Sequence, residues 1–192
     1  MLNQKEANKF DLESEYLQSV ILGDGIQRYD LNTTQTIIFP HKIVDEKYIR
    51  IPEDDLRGTN VYDYLRDHKQ KLSGRKYVID AGKKWYELWN KRQPEVQDSS
   101  KLVICNMSKS NRFAYDSEGK KTLHTTYSLV PYQHQQHDQN YLLAVLNSSL
   151  LTPIFSIQST EVRGGYYRYN RMYLKDLPLR KVEFSLSDNE RE

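Results

Sequence analysis

The run Tyr141-Leu-Leu-Ala-Val-Leu146 constrains this chain more than any other feature. Its six residues carry no charge, and all but the tyrosine are aliphatic, so as a helix it has no polar face to show to water. The spacing predicts a helix capped by Asp138 and buried among other elements. Asn147-Ser-Ser149 interrupts it, and Leu150 to Phe155 continues as a second short helix around Pro153. Elsewhere the chain is polar, with a mean hydropathy of −0.81. With 38% hydrophobic and 28% charged residues, the core must be assembled around a few such segments.

The remaining apolar segments are short and end at turn residues. Gly23-Asp-Gly25 marks a turn, Ile26–Tyr29 reads as a short strand, and Gln35–Phe39 as a strand closed by Pro40. Lys47–Ile51 alternates polar and apolar side chains until Pro52, the pattern of a sheet with one covered face. Val61, Tyr64, Leu65 and Leu72 fall at helical spacing, and Gly74 ends that segment. A further helix is predicted from Asp80, as N-cap, through Trp85, Leu88 and Trp89 to Arg92, stopping before Pro94. Leu102–Cys105, Arg112–Tyr115 and Thr126–Val130 read as strands, with Asp116-Ser-Glu-Gly119 as a hairpin turn between the last two. This order gives an α+β fold with a mixed, mainly antiparallel sheet and segregated helices.

Several function classes lack their residues. A single cysteine, Cys105, rules out a disulfide framework within the chain and reads as a small buried hydrophobe, which fits a reducing cytoplasm. No stretch approaches the roughly 20 apolar residues of a membrane span. There is no phosphate-cradling glycine loop, HExxH, nucleophile elbow or CxxC, and the six prolines are isolated, so the Pro-Pro core of an amino-methyltransferase motif is absent. His134 and His137 lie three apart in a Gln/His-rich loop, where a solvated connection is the ordinary reading. Glu118-Gly-Lys120, just after Asp116, imitates half of a magnesium-dependent nuclease, but charged residues are the default in a turn. Neither catalytic residues nor metal ligands are assigned to this chain.

The positive signal is aromatic and basic. Among 15 tyrosines, three fall in Arg163-Gly-Gly-Tyr-Tyr-Arg-Tyr-Asn-Arg171, beside three arginines and a glycine pair. Arginine pairs bidentately with guanine edges or phosphates, and tyrosine stacks or bonds to phosphate oxygens. If the run is extended, Arg163, Tyr167, Tyr169 and Arg171 share one face and Tyr166, Arg168 and Asn170 the other. The short basic loop Ser108-Lys-Ser-Asn-Arg112 is a second candidate. The DNA-binding candidates are therefore Lys109, Asn111, Arg112, Arg163, Tyr166, Tyr167, Arg168, Tyr169 and Arg171. Arg–Tyr packing at a seam between domains is the ordinary alternative. With a net charge of only +2, any nucleic-acid surface needs its positive charge locally concentrated or supplied by sister domains.

Several segments in order then resemble the TaqI-like C-terminal specificity domain of adenine amino-methyltransferases and fused restriction–modification enzymes. They are Leu22-Gly-Asp-Gly-Ile-Gln-Arg-Tyr29, Ile37-Ile-Phe-Pro40, Trp85-Tyr86, Lys101-Leu-Val-Ile104 and Phe113-Ala-Tyr-Asp116. Tyr141-Leu-Leu-Ala-Val-Leu-Asn-Ser148, Gly164-Gly165 with Tyr167-Arg168, and Leu174-Lys-Asp-Leu-Pro178 complete the series. His41 departs from the tyrosine usual after Phe-Pro. The resemblance implies a domain at 21–180 that reads the sequence of double-stranded DNA, with 1–20 as a connecting segment and 181–192 as a polar tail. It further implies a methyltransferase domain as partner, and a nuclease domain in fused enzymes. It implies S-adenosylmethionine in the methyltransferase domain, and Mg only where a nuclease domain is present, with no cofactor expected in this chain; the lack of a long apolar stretch gives no membrane partner to expect. The competing reading is a protein-docking module, such as a separate specificity subunit that binds a methyltransferase.

Overall fold

The computed structural model describes residues 1–32, 35–89, 91–123, 125–130 and 139–179. The first fifty residues form β1 (Leu2–Asn3), α1 (Gln4–Lys9), β2 (Leu17–Ile21), β3 (Ile26–Gln27), β4 (Asp30–Leu31), β5 (Gln35–Ile38), β6 (His41–Val44) and β7 (Lys47–Arg50). Asn3 caps α1 by accepting from the Glu6 amide at 2.9 Å, and the Glu6 carboxylate accepts from the Asn3 amide at 3.0 Å. β5 pairs antiparallel with both β1 and β2. The segment 1–20, read as a connection, thus contributes β1 and most of β2 to this sheet. In the expected Gly23–Gly25 turn, a Cβ on Gly25 would lie 2.2 Å from the Asn32 carbonyl, so only glycine fits.

Helices follow: α2 (Glu53–Leu56), α3 (Asn60–Asp67), α4 (Lys69–Ser73), α5 (Lys76–Asp80) and α6 (Pro94–Gln97). Thr59 caps α3 by accepting from the Tyr62 amide, while the Glu13 carboxylate accepts from Asn60 and Val61, putting negative charge at a helix N-terminus. The helix predicted from Asp80 to Arg92 is not there. Asp80 ends α5, Gly82 takes φ +72°, and the Lys84 amide donates to Glu87 Oε1 at 2.8 Å. Trp85 and Tyr86, adjacent in sequence, are both buried beside Leu2, Leu12, Leu56, Val61 and Leu65. A helix would point neighbouring side chains roughly 100° apart. The irregular turn lets both rings enter one core.

Next come β8 (Lys101–Cys105), β9 (Met107–Ser108), β10 (Ala114–Asp116), β11 (Lys121–Thr122) and β12 (Thr126–Leu129). β8 lies between β10 and β12, antiparallel to both, and all five of its residues are buried. Its alternation serves two cores: Leu102 and Ile104 face one side, Val103 and Cys105 the other with Ile21, Ile26 and Ala114. Cys105 is the small buried hydrophobe expected. The 116–119 turn forms, with Gly119 at φ +69°, but it is not a hairpin. β10 pairs with β8, whereas β11 crosses over to run parallel with β2.

The apolar run forms α7 (Gln139–Leu146), and α8 (Leu151–Gln158) follows at a bend of 69°. Asp138, its expected cap, and the His134/His137 loop lie outside the described residues, as does the tail beyond 179. Pro153 occupies the first turn of α8, where no intrahelical N–H is lost. Leu143, Leu146, Leu151 and Phe155 cover Leu102 and Ile104 of β8. In the break between the helices, the buried Asn147 amide accepts from the Phe113 N–H at 2.8 Å and donates to the Phe113 carbonyl at 2.9 Å. The chain then forms β13 (Glu161–Val162), β14 (Tyr166–Arg168) and α9 (Arg171–Leu174). Among the described residues no single helix is long and apolar enough to cross a membrane.

His41 sets an acid limit on this fold. Its side chain is 0% exposed, neither ring nitrogen has a hydrogen-bond partner among the described residues, and Glu87 Oε2 lies 3.9 Å from Nε2. Burial, with Lys91 adding repulsion, pushes its pKa down to about 4, while Glu87 opposes the shift. The unfolded chain therefore takes up the proton near pH ~6.5 and the folded chain resists it until about 4. Stability is full above pH ~6.5 and falls by about 3 kcal/mol as pH drops through that window. Urea unfolding of His41→Phe at pH 7.5 and 4.5 should show this component gone; superimposable pH profiles for parent and variant would contradict it.

Candidate nucleic-acid interface

The Arg/Tyr run folds into a three-stranded sheet of order β13-β14-β9. Arg163-Gly164-Gly165 makes the β13–β14 turn, with both glycines at positive φ, +83° and +75°. A Cβ on Gly165 would meet nothing within 4 Å, so the pair is there for its backbone angles rather than for a close approach. The Arg168 amide and carbonyl are pinned by Ser159 Oγ at 3.2 and 2.9 Å.

Cross-strand register decides which side chains share a face. Arg168 stands opposite Met107, and Tyr166 opposite Val162; Tyr167 stands opposite Ser108 and Glu161. Tyr166, Arg168 and Met107 therefore line one face. Tyr166 is 40% exposed and Met107 48% exposed, and the Lys109 ammonium sits 5.2 Å from the Tyr166 ring centroid. Arg163 is exposed at the end of the same sheet. Among the described residues the Arg163, Arg168 and Lys109 head groups form no ion pair or hydrogen bond. Three unneutralised cations thus surround a tyrosine and a methionine.

The other candidates are placed differently. Tyr167 is half-buried against the α7/α8 core, and Tyr169 is fully inside it. The expected alternation, with Arg163, Tyr167, Tyr169 and Arg171 on one face, fails because the strand stops at Arg168. Asn170 Oδ1 accepts from the Tyr173 amide at 3.3 Å and starts α9, which carries Arg171 away from the sheet face. Arg171 instead lines a groove of about 560 Å³ with Arg92, Tyr127, Leu129 and Lys175. Asn111 is fully buried: its amide donates to the Leu146 carbonyl, and its Oδ1 accepts from the Tyr169 hydroxyl, both at 2.7 Å. Burial pushes the Tyr169 phenol pKa upward, so it stays a neutral donor. Arg112 folds back on its own loop, donating to Ser108 Oγ at 3.0 Å, and is half-buried. Asn111 and Tyr169 are therefore framework residues, not surface contacts. Met107, which carried no sequence signal beyond its place next to a buried strand, joins the face instead.

The nuclease-like Asp116 is also framework. Its Oδ2 accepts from the buried Lys101 ammonium at 2.8 Å and the Lys120 amide at 2.7 Å, and its Oδ1 from the Glu118 amide at 3.2 Å. Glu118 pairs with Lys120 at 2.9 Å. Among the described residues no group of three His, Cys, Asp or Glu side chains is placed to hold a metal.

The geometry defines a class: an α+β domain whose small antiparallel sheet leaves a cationic, tyrosine-bearing face uncovered. The chain belongs to the TaqI-like C-terminal specificity domain family, whose profile matches residues 18–179. It is similar to the type II methyltransferase M.BanIII of Aneurinibacillus aneurinilyticus, 29% identical over 126 residues, covering 65% of this chain and 22% of that protein. M.BstVI of Geobacillus stearothermophilus is 24% identical over 129 residues, covering 67% and 22%. M.XhoI of Xanthomonas vasicola is 25% identical over 112 residues, covering 58% and 20%. The chain matches only about a fifth of each relative's length.

Proposed function

We propose that this domain reads the sequence of double-stranded DNA for a type II methyltransferase, with the β9–β14 face entering the duplex. The open face is the observation that supports this most directly: among the described residues the Lys109, Arg163 and Arg168 head groups have no ion-pair or hydrogen-bond partner, Met107 stands opposite Arg168, and Lys109 lies against the exposed Tyr166 ring. Lysine and the turn arginine suit phosphate contacts that set the register. Arg168, held by a strand whose backbone is fixed, suits bidentate readout of a guanine edge. The relatives' names supply the enzymatic setting. We assign base flipping and methyl transfer to an adenine methyltransferase domain working with this one in the cytoplasm. S-adenosylmethionine supplies the methyl group when bound to that domain. The reading needs no fused nuclease and no catalytic group from this chain.

Arg168→Ala is expected to weaken binding to the cognate duplex by roughly 10- to 100-fold, the value of one bidentate base contact. It should reduce discrimination at one base pair more than it reduces binding to unrelated duplex. Lys109→Ala should weaken binding to all duplexes alike. Fluorescence anisotropy against a cognate duplex and single-substitution duplexes measures both effects. Unchanged affinity in both variants would remove this face from the interface.

A further inference from the structure

The chain's positive charge is concentrated away from the sheet face. Residues 69–84 hold six cations (Lys69, Lys71, Arg75, Lys76, Lys83 and Lys84) against one carboxylate, Asp80, a net of +5. The whole chain carries +2, so the rest of it is at −3. Two of the six have structural duties. Arg75 donates to the Leu72 and Trp85 carbonyls, and Lys83 donates to the Trp89 carbonyl at 2.7 Å with its ammonium 5.7 Å from that ring. Lys69 sits 5.1 Å from the Trp85 ring centroid. Lys71, Lys76 and Lys84 are exposed, and among the described residues none of their ammonium groups has an ion-pair or hydrogen-bond partner.

Apolar surface accompanies this charge. Tyr77 on α5 meets Trp89 edge-on, ring centroids 5.1 Å apart, yet they are 53% and 47% exposed. Asp67 lies four residues before Lys71, and Asp80 four residues from both Lys76 and Lys84, yet among the described residues none of these pairs closes into an ion pair, so large open aromatics stand among lysines whose charge is left available. A surface that gathers like charge at a cost in self-repulsion fits a polyanion, and the negative remainder of the chain argues against non-specific stickiness.

We infer that α4, α5 and the turn 81–89 form a second DNA contact, in which Lys71, Lys76 and Lys84 hold the phosphate backbone and Tyr77 and Trp89 pack against its sugars. The contact carries no base readout; it anchors the duplex that the sheet face reads. The inference rests on the proposal that this chain binds duplex DNA, and the test separates the two.

The experiment measures anisotropy of a labelled duplex with the 192-residue chain across a salt series. The variants are Lys71→Gln/Lys76→Gln/Lys84→Gln and, separately, Arg168→Ala. Each lost phosphate contact lowers the slope of log K against log salt by about 0.9, so the triple variant should lose roughly two to three units of slope. Its ratio of cognate to unrelated affinity should stay at the parent value. Trp85 is 8% exposed, so acrylamide quenching reports mainly on Trp89, and saturating duplex should shield it. An unchanged slope in the triple variant, or a Trp89 still open to acrylamide in the complex, overturns the second contact. If Arg168→Ala still weakens binding in that case, the sheet-face reading survives; if neither variant alters binding, both fall.

Discussion

Asp116→Ala is expected to cost this domain about 3–5 kcal/mol, enough to leave much of it unfolded at ambient temperature. Lys101 and Asp116 both have side chains 0% exposed, with Nζ and Oδ2 2.8 Å apart. The ammonium is completed by the Gln97 carbonyl at 2.9 Å and the Ser99 carbonyl at 3.1 Å, so every partner it has is supplied by the protein. Removing the carboxylate strands a buried cation, and it frees the Glu118 and Lys120 amides that hold the turn. Burial already lowers the Lys101 pKa, and Asp116 is the chief opposing influence. Without Asp116 that pKa falls further below the unfolded value. The penalty is therefore full at low pH and shrinks as pH rises toward the unfolded pKa of ~10.4, so the variant should gain on the parent between pH 7 and 10. Lys101→Met/Asp116→Asn, which removes both charges and keeps one acceptor for the turn, should recover much of the loss. Urea denaturation followed by circular dichroism measures all three. A loss below about 0.5 kcal/mol in Asp116→Ala would show that the pair does not carry this junction.

The same pair shows where sequence reasoning stops. Glu118-Gly-Lys120, following Asp116, has a nuclease-like spacing, but which cation a carboxylate meets depends on strand register. Lys101 faces Asp116 only because β10 runs antiparallel to β8. The apolar run at Tyr141–Leu146 and the strand at Leu102–Cys105 were legible because periodicity and composition agree there. The 80–92 segment was not, since Trp85, Leu88 and Trp89 mimic a helical stripe. Its true conformation follows from Gly82 and from Glu87 capturing the Lys84 amide. The parallel β11–β2 pairing was equally hidden, because nothing local to Lys121-Thr122 names a partner a hundred residues upstream. In the candidate site, the Arg/Tyr run was visible by composition. Its division into outer Tyr166 and Arg168 and inner Tyr167 and Tyr169 needed the strand's actual extent, fixed by the Asn170 cap. The charge cluster at 69–84 was present in the sequence all along. That Lys71, Lys76 and Lys84 lack partners among the described residues, and that Trp89 stays 47% exposed, depends on the fold and not on the local sequence.

Tyr169 offers the sharpest separation of framework from interface, because the sequence makes it look identical to its exposed neighbours. Its ring stacks on Phe155 at 4.1 Å between centroids, meets Phe113 edge-on at 6.2 Å, and is 1% exposed. Tyr169→Ala empties that space and is expected to cost about 3–5 kcal/mol. Tyr169→Phe keeps the ring but leaves Asn111 Oδ1 without its donor, a cost of about 1–2 kcal/mol. That hydroxyl is the first link of a chain running through Asn111 to the Leu146 carbonyl, so it ties β14 and the Lys109 loop to α7. At temperatures where both proteins are folded, Tyr169→Phe should bind duplex with parent affinity, whereas Arg168→Ala, one residue away, should not. Thermal melts paired with anisotropy give the two readouts independently. If Tyr169→Phe instead lost affinity as Arg168→Ala does while melting like the parent, the hydroxyl would have to reach DNA, and the inward face assigned to Tyr167 and Tyr169 would be wrong.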